Sequence, residues 1–458
     1  MTFQQAINQN PSLRTLYSQM EIQTPMARNL ILHTPFSQSQ QWIEQQWKQI
    51  TECQNYLSNL SLQTSQRFFM HLSTIHDISG SLKLLQQDQI LDDISLFEIK
   101  AFALNIKKLK KDFTSPLFPL PNLQETINIL DPEKTETMQF YIYSAYSEEL
   151  SQARKQWQKA KEEENEQKAH SLYIKTLEIE NQIRQILSQK LYPHIPSLLK
   201  AIDIVAQIDL SFAKAKLSTQ HNLNKVQITD NKQIKYKKIF HPIVKQLLEE
   251  KNQPYQSIDI EIGEENYLIT GANMAGKTLI LKTLALNQQL LQYGFFVACQ
   301  EGEICLVEKV LTSIGDGQNE NEGLSSFAYE VKTLHNIIQE IKTNATHLVL
   351  VDELARTTNP IEGKKLVEGF LKVCNKRGSF VVVTTHYSNI EAPSKRMRVK
   401  GFNHKDLQPP IKIEEISQHI DYSLVEDNSN QAPTEAINLC RLLGIDQEWI
   451  GGELEKKK

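Results

Sequence analysis

The chain has 458 residues, 40% hydrophobic and 23% charged, and 50 Lys and Arg against 54 Asp and Glu leave a net charge of −4. That is length for two or three domains and apolar content for real cores. It excludes a globally basic nucleic-acid binder, and with only 16 glycines it excludes a collagen-like or Gly/Ser-linker protein.

The N-terminal stretch MTFQQAINQNPSLRTLYSQ has no basic-then-apolar signal pattern. No run of 18 apolar residues is present, so no membrane span is expected. Cys53, Cys299, Cys305, Cys374 and Cys440 form neither a CxxC nor a zinc-like cluster. They read as small core hydrophobes in a reducing cytoplasm. Only Gly80 falls before residue 263, against an average usage of about 7%. Glycine serves positive φ and close ligand approach. The front of the chain is therefore expected to be helical, and the site to lie in the back.

Helical spacing runs through 42–60 and 94–113. Pro116, Pro119, Pro121 and Pro132 mark an irregular link. Residues 133–192 then contain neither Gly nor Pro. One straight helix of that length would measure about 90 Å. A hairpin turning near KEEENEQ, 161–167, is equally consistent, and either forms an elongated arm. A further helix is expected over 197–218. From about 234, β-rich runs appear at 258–262, 267–270, 303–314, 346–354 and 379–386. Helical segments at 277–292, 326–342 and 361–377 lie between them. This alternation indicates an α/β domain with a largely parallel sheet. The expected division is a helical domain over 1–225, an α/β domain over 226–430 and a helical tail over 431–458. The basic clusters at 107–111, 235–238, 394–400 and 455–458 can contact phosphates, or be solvated surface.

Gly271-Ala-Asn-Met-Ala-Gly276-Lys277-Thr278 is a complete G-x4-G-K-T between an apolar strand and an amphipathic helix. Its glycines let backbone N–H groups curl round phosphates, and the helix start adds positive potential. Lys277 supplies a point charge and Thr278 can hold Mg2+. THLVLVDEL ends in Asp352, expected to complete the Mg2+ shell, and Glu353, expected to polarise the attacking water as general base. SFVVVTTH presents His386 at another strand end, where it can contact a γ-phosphate.

These pieces, in this order, resemble the MutS family of ATPases. ITGANMAGKT resembles the family's TGPNMGGKS/T loop, with Ala272 and Ala275 replacing a Pro and a Gly. Residues 314–331 are similar to its signature segment, with Ser325, Ser326, Phe327 and Glu330 at matching positions. DELARTTNPIEG resembles DEIGRGTSTYDG, retaining Asp352, Glu353, Arg356, Thr357 and Gly363. TTHY matches ATHY, and FHPIV, 240–244, resembles RHPVV at the start of the domain. Outside the ATPase, 24–50 looks like the start of the family's helical core, 145–154 like the start of its lever and 206–218 like the lever's end.

The resemblance implies an α/β P-loop NTPase of the ABC/MutS type behind an all-α core, turning ATP and water into ADP and phosphate. It implies ATP contacts from Gly271, Ala272, Asn273, Met274, Ala275, Gly276, Lys277, Thr278 and Leu279, with Lys277, Glu353 and His386 catalytic. Tyr255 corresponds to an adenine-stacking aromatic, and His241, Ser325 and Ser326 join the nucleotide set. Thr278 and Asp352 are the metal residues. It further implies a homodimer, or a heterodimer with a paralogue, in which each loop faces the other subunit's signature Ser. The core begins by about residue 12, so the family's mismatch-reading and connector domains are expected to be missing and its clamp absent or trimmed. Three activities stay open: a DNA-associated ATPase working on double-stranded or branched DNA, a remodelling ATPase for a protein client such as a cobalamin-dependent aminomutase, and a non-catalytic ATP-binding adaptor.

Overall fold

Helix starts in the first half are written in capping residues. Thr2 and Gln5 form a reciprocal capping box at the start of α1 (Phe3–Gln9). Asn10 caps α2 (Pro11–Ser18) and Thr24 caps α3 (Pro25–His33), each with Pro at the first helical position. The helices α4 (Gln40–Ser58), α5 (Leu62–Ser73), α6 (Ser79–Gln86), α7 (Asp93–Asp112) and α8 (Gln124–Leu130) follow. Next come α9 (Glu148–Glu162), α10 (Glu166–Leu191) and α11 (Ile195–Gln220). The second half alternates: β1 (Gln227–Ile228), β2 (Ile234–Ile239), α12 (Pro242–Glu250), β3 (Ile258–Ile262), β4 (Asn266–Thr270) and α13 (Lys277–Gln292). It continues with β5 (Glu301–Ile304), β6 (Lys309–Ser313), α14 (Ser326–Ile341), β7 (His347–Val351) and α15 (Pro360–Cys374). The last strands are β8 (Phe380–Thr384), β9 (Lys395–Phe402) and β10 (Ile420–Glu426). This computed structural model describes residues 1–272, 275–315, 326–343, 345–356, 358–375, 377–402, 419–428, 440 and 443–445. The expected tail over 431–458 therefore lies almost wholly outside the described residues.

The chain forms two units. A helical unit comprises Met20–Thr34 and Gln49–Lys216; an α/β unit comprises Met1–Gln19, Pro35–Lys48 and Leu217–Lys458. A single cut near residue 225 does not describe this partition. The reason is aromatic packing at the N-terminus. Phe3 lies 5.1 Å from Tyr293 and 6.0 Å from Phe295 between ring centroids, and the Trp47 indole donates to the Phe295 carbonyl at 2.8 Å.

In the helical unit, Phe212 gathers Phe68, Phe69, Phe113 and Tyr56 within 4.9–5.8 Å. Residues 133–192 are a hairpin. Asn165 caps α10 and Glu164 turns the chain at φ 52. Arg154 of α9 meets Glu180 of α10 at 2.7 Å, and Trp157 lies 5.6 Å from Tyr173. Helix does not fill the whole stretch, because buried Asp131 draws 135–136 into a loop. It accepts from the Glu136 N–H at 2.7 Å and from Lys100, itself 0% exposed, at 3.1 Å. Removing one partner of such a pair costs about 3–5 kcal/mol, so the loop is firmly set.

The α/β unit holds two sheets. One has order β1-β5-β2-β3; the other has order β10-β9-β4-β8-β7-β6, with all neighbours parallel except β10 against β9. Every residue of β4, β7 and β8 is buried, as expected for parallel strands covered on both faces. The expected strand over 303–314 is two strands, β5 and β6, which belong to different sheets. The clusters at 235–238 and 394–400 are also strand, in β2 and β9. Three of their five lysines pair with acids: Lys235 with Glu261 at 3.5 Å, Lys237 with Glu301 at 2.7 Å and Lys400 with Asp421 at 3.2 Å. The cluster at 107–111 lies in the last turns of α7, and 455–458 lies outside the described residues. Cys53, Cys299 and Cys374 are buried, and burial pushes their thiols up, Cys299 and Cys374 to about 12.

Helix α13 carries an unusual buried amide row. Asn287, Gln288 and Gln292 are each 0% exposed. Asn287 accepts from the Ala298 N–H at 2.6 Å, and Gln288 donates to the Cys305 carbonyl at 3.1 Å. Gln292 donates to the Ser37 and Val307 carbonyls at 2.9 and 2.8 Å and accepts from the Val307 N–H at 3.1 Å.

Candidate nucleotide site

Strand register brings the functional residues to one edge. Ile269 of β4 lies opposite Thr384 of β8, and Val351 of β7 opposite Val383. The segments after β4, β7 and β8 therefore leave the sheet side by side, at the carboxyl edge where open α/β sheets bind ligands. The glycine loop follows β4, and α13 opens at Lys277. Gly276 has φ 79, a conformation that favours glycine, and a Cβ there would lie 3.0 Å from the Tyr422 ring. The Lys277 ammonium is 4% exposed and donates to the Gly271 and Ala272 carbonyls at 2.8 and 3.0 Å. Its Nζ is also 3.6 Å from Glu353 Oε1. Burial lowers its pKa and the nearby Glu353 pulls it back up. Asn273 and Met274 lie outside the described residues.

Three hydrogen bonds join the ends of these segments. Thr278 Oγ1 donates to Asp352 Oδ2 at 2.6 Å, Thr384 Oγ1 donates to Asp352 Oδ1 at 2.6 Å, and the Glu353 N–H donates to Thr384 Oγ1 at 2.9 Å. A hydroxyl and a carboxylate in contact are the hard oxygen donors that suit Mg2+, which keeps its remaining positions for water and phosphate. Among the described residues no group of three or more His, Cys, Asp or Glu side chains is placed to hold a metal by itself.

The turn after β7 is strained and held. Glu353 and Ala355 have φ 45 and 62, uncommon for non-glycine residues. The Ala355 N–H donates to Glu330 Oε1 at 2.7 Å, and the Tyr387 hydroxyl donates to the Ala355 carbonyl at 2.8 Å. Glu330, from the matched signature segment, thus supports this turn; burial raises its pKa, which the Ala355 bond opposes. Gly363 is explained as well, since a Cβ there would collide with the Tyr387 hydroxyl. Arg356 Nη1 lies 3.4 Å from Glu353 Oε2.

A cavity of about 720 Å³ spans this region, lined by Lys277, Thr278, Leu279, Asp352, Glu353 and Arg356 and also by Ser12 and His241. The first turns of α2, α12 and α13 all contribute to its wall, so three positive helix ends favour an anion there. An apolar cavity of about 270 Å³ shares Val244, Gly276 and Leu279 with it and is lined by Tyr255 and Tyr422. Tyr255 also accepts the His241 N–H at 2.9 Å. Ala275, within the loop, is buried. His386 is exposed, its ring 4.2 Å from Tyr387. Desolvation lowers its pKa, opposed by Glu353 and aided by Lys277 and Arg356. Ser326 begins α14, while Ser325 and Thr357 lie outside the described residues.

His241 caps α12, is 3% exposed, and burial with the nearby Lys282 pushes its pKa down to about 4. An unfolded histidine titrates near 6.5, so the unfolded chain takes the proton first. The contribution is complete above about pH 6.5 and is lost progressively as pH falls toward 4, up to roughly 3 kcal/mol. His241→Asn retains a capping acceptor. Its stability by urea denaturation should drop less than the parent's between pH 7.5 and 4.5, by about 2 kcal/mol. Superimposable pH profiles would remove His241 from the acid response.

Thr384, Tyr422 and Ser12 were not marked in the sequence as site residues. The threonine pair before His386 was a usable signal for Thr384. Nothing local distinguishes Tyr422 or Ser12; packing alone brings them here.

The fold and this edge define a mixed α/β domain of ATPase type. Residues 267–441 match the family model described as MutS domain V. That segment is similar to the MutS family over its domain V. It is similar to a protein named Endonuclease MutS2 from Caldanaerobacter subterraneus subsp. tengcongensis, 27% identical over 294 residues, 60% of this chain and 35% of that one. The Endonuclease MutS2 of Acetivibrio thermocellus is 34% identical over 228 residues, 48% of this chain and 28% of that one. That of Geobacillus sp. strain WCH70 is 34% identical over 202 residues, 43% and 25% of the two chains. The matches cover about a third or less of these relatives. No described helix is long and apolar enough to cross a membrane.

Proposed function

We propose that this chain is a MutS-type ATPase that binds ATP with Mg2+ in the 720 Å³ cavity and hydrolyses it, working as a dimer on double-stranded or branched DNA. The observation that carries the reading is the Thr278–Asp352–Thr384 chain of hydrogen bonds beside the Lys277–Glu353 pair. In this reading the glycine loop is a P-loop, and Lys277 neutralises the phosphates. Thr278 and Asp352 hold the metal, which offsets phosphate charge when bound. Glu353 takes the proton of the attacking water. Tyr255 and Tyr422 flank the base, and His386 approaches the γ-phosphate from the end of β8. The Ser325 segment of one copy completes the site of the other.

The purified chain should hydrolyse ATP, dimerise more tightly with ATP than with ADP, and bind duplex DNA with an affinity that falls steeply with salt. Sedimentation and fluorescence titration measure the last two. Absence of turnover would sink the ATPase reading. Turnover without any DNA binding would move the client to a protein.

A further inference from the structure

Ser12 belongs to no motif, yet its side chain lines the cavity. Its neighbour there is His241, whose Nε2 lies 3.0 Å from Ser12 Oγ. His241 Nδ1 accepts the Val244 N–H, so the ring proton sits on Nε2. The imidazole therefore donates and the serine oxygen accepts. The hydroxyl's own proton has no partner among the described residues.

Two contacts set where that hydroxyl stands. Asn10 Oδ1 accepts the Ser12 and Leu13 N–H groups at 3.0 and 3.3 Å, and Asn10 Nδ2 donates to Gln289 Oε1 of α13 at 2.7 Å. On the other side, the His241 N–H is bound to the Tyr255 hydroxyl. Ser12 is thus tied both to the helix that follows the glycine loop and to an aromatic lining the apolar cavity. Its place along a ligand follows from α13. The first turn, at Thr278, meets Asp352. Lys282, further along, also lines the cavity and acts electrostatically on His241. Ser12 is therefore on the side of Tyr255 and Lys282, away from the carboxylates. With a base in the apolar cavity and the terminal phosphate near Glu353, the sugar and α-phosphate lie between.

We propose that Ser12 is a nucleotide-binding residue whose hydroxyl donates to an oxygen of the sugar or α-phosphate. The N-terminal helix pair is then part of the ATP site rather than only its scaffold. This rests on the cavity being the ATP site.

The test is calorimetric titration of the full chain with ATP and with ADP, in Mg2+, for the parent, Ser12→Ala, Ser12→Thr and Lys277→Ala. Ser12→Ala should weaken both nucleotides about five- to tenfold, while Ser12→Thr stays near the parent. Because Ser12→Ala also leaves the buried His241 Nε2–H without its acceptor, the melting temperature without nucleotide should fall somewhat, and the nucleotide-induced rise should shrink in addition. If the Ser12→Ala loss vanishes with 2′,3′-dideoxy-ATP, the accepting oxygen is a sugar hydroxyl; if it persists, it is the sugar ring oxygen or the α-phosphate. Equal affinities for Ser12→Ala and parent, or a nucleotide-induced rise in melting temperature as large as the parent's, would overturn the proposal. A parent chain that binds no nucleotide, or a Lys277→Ala variant that binds as well as the parent, would instead overturn the reading of the cavity as the ATP site.

Discussion

Lys277→Ala should bind ATP at least a hundredfold more weakly than the parent and show no turnover. The side chain is almost fully enclosed and is anchored to two loop carbonyls, 2.8 and 3.0 Å away. Its position is therefore fixed before any ligand arrives, and little ordering remains to oppose binding. With two of its three N–H groups held by those carbonyls, one remains for a phosphate; that hydrogen bond contributes about 1.5–3 kcal/mol, and the lost positive charge adds to it. Alanine also leaves Glu353 without the ammonium 3.6 Å away, adding a repelling carboxylate to the cavity. Isothermal titration with ATP reads the effect. Affinity within threefold of the parent would mean the phosphates do not sit on this loop.

Glu353→Gln should do the opposite to binding and the same to turnover. A positioned general base contributes about 10²–10⁴-fold. Glutamine keeps the shape, and the Glu353 N–H bond to Thr384 does not depend on the side chain. ATP should therefore bind as well as in the parent or better, since one negative charge has gone. With hydrolysis blocked, the ATP-bound dimer should persist, visible as a dimer peak by size-exclusion chromatography, and its co-purifying DNA or protein identifies the client. Turnover equal to the parent's would remove Glu353 as the base.

What the sequence disclosed was local. The loop, α13 and the ends of β7 and β8 each occupy a continuous stretch, and α13 spans 277–292 as its spacing predicts. What it concealed was brought together by distant packing. Ser12 and His241 are 229 positions apart. Strands β2 and β9 passed as basic surface because lysines and arginines alternate with apolar residues along them, and only the neighbouring acidic strands reveal them as sheet. The run over 303–314 hid a change of sheet because strand propensity says nothing about which neighbour a strand will choose.

The amide row of α13 has a mechanical meaning. This helix begins at Lys277, and further along it is held through Asn287 and Gln292 to the backbone at Ser37, Ala298 and Val307. Apolar packing lets a helix slide by fractions of an ångström, but matched donors and acceptors fall out of step together. The helix is indexed, like a bolt with a detent. A pull at the Lys277 end is resisted until it is large enough to release the row as a whole. Motion passed along α13 should accordingly come in discrete steps rather than as a graded drift.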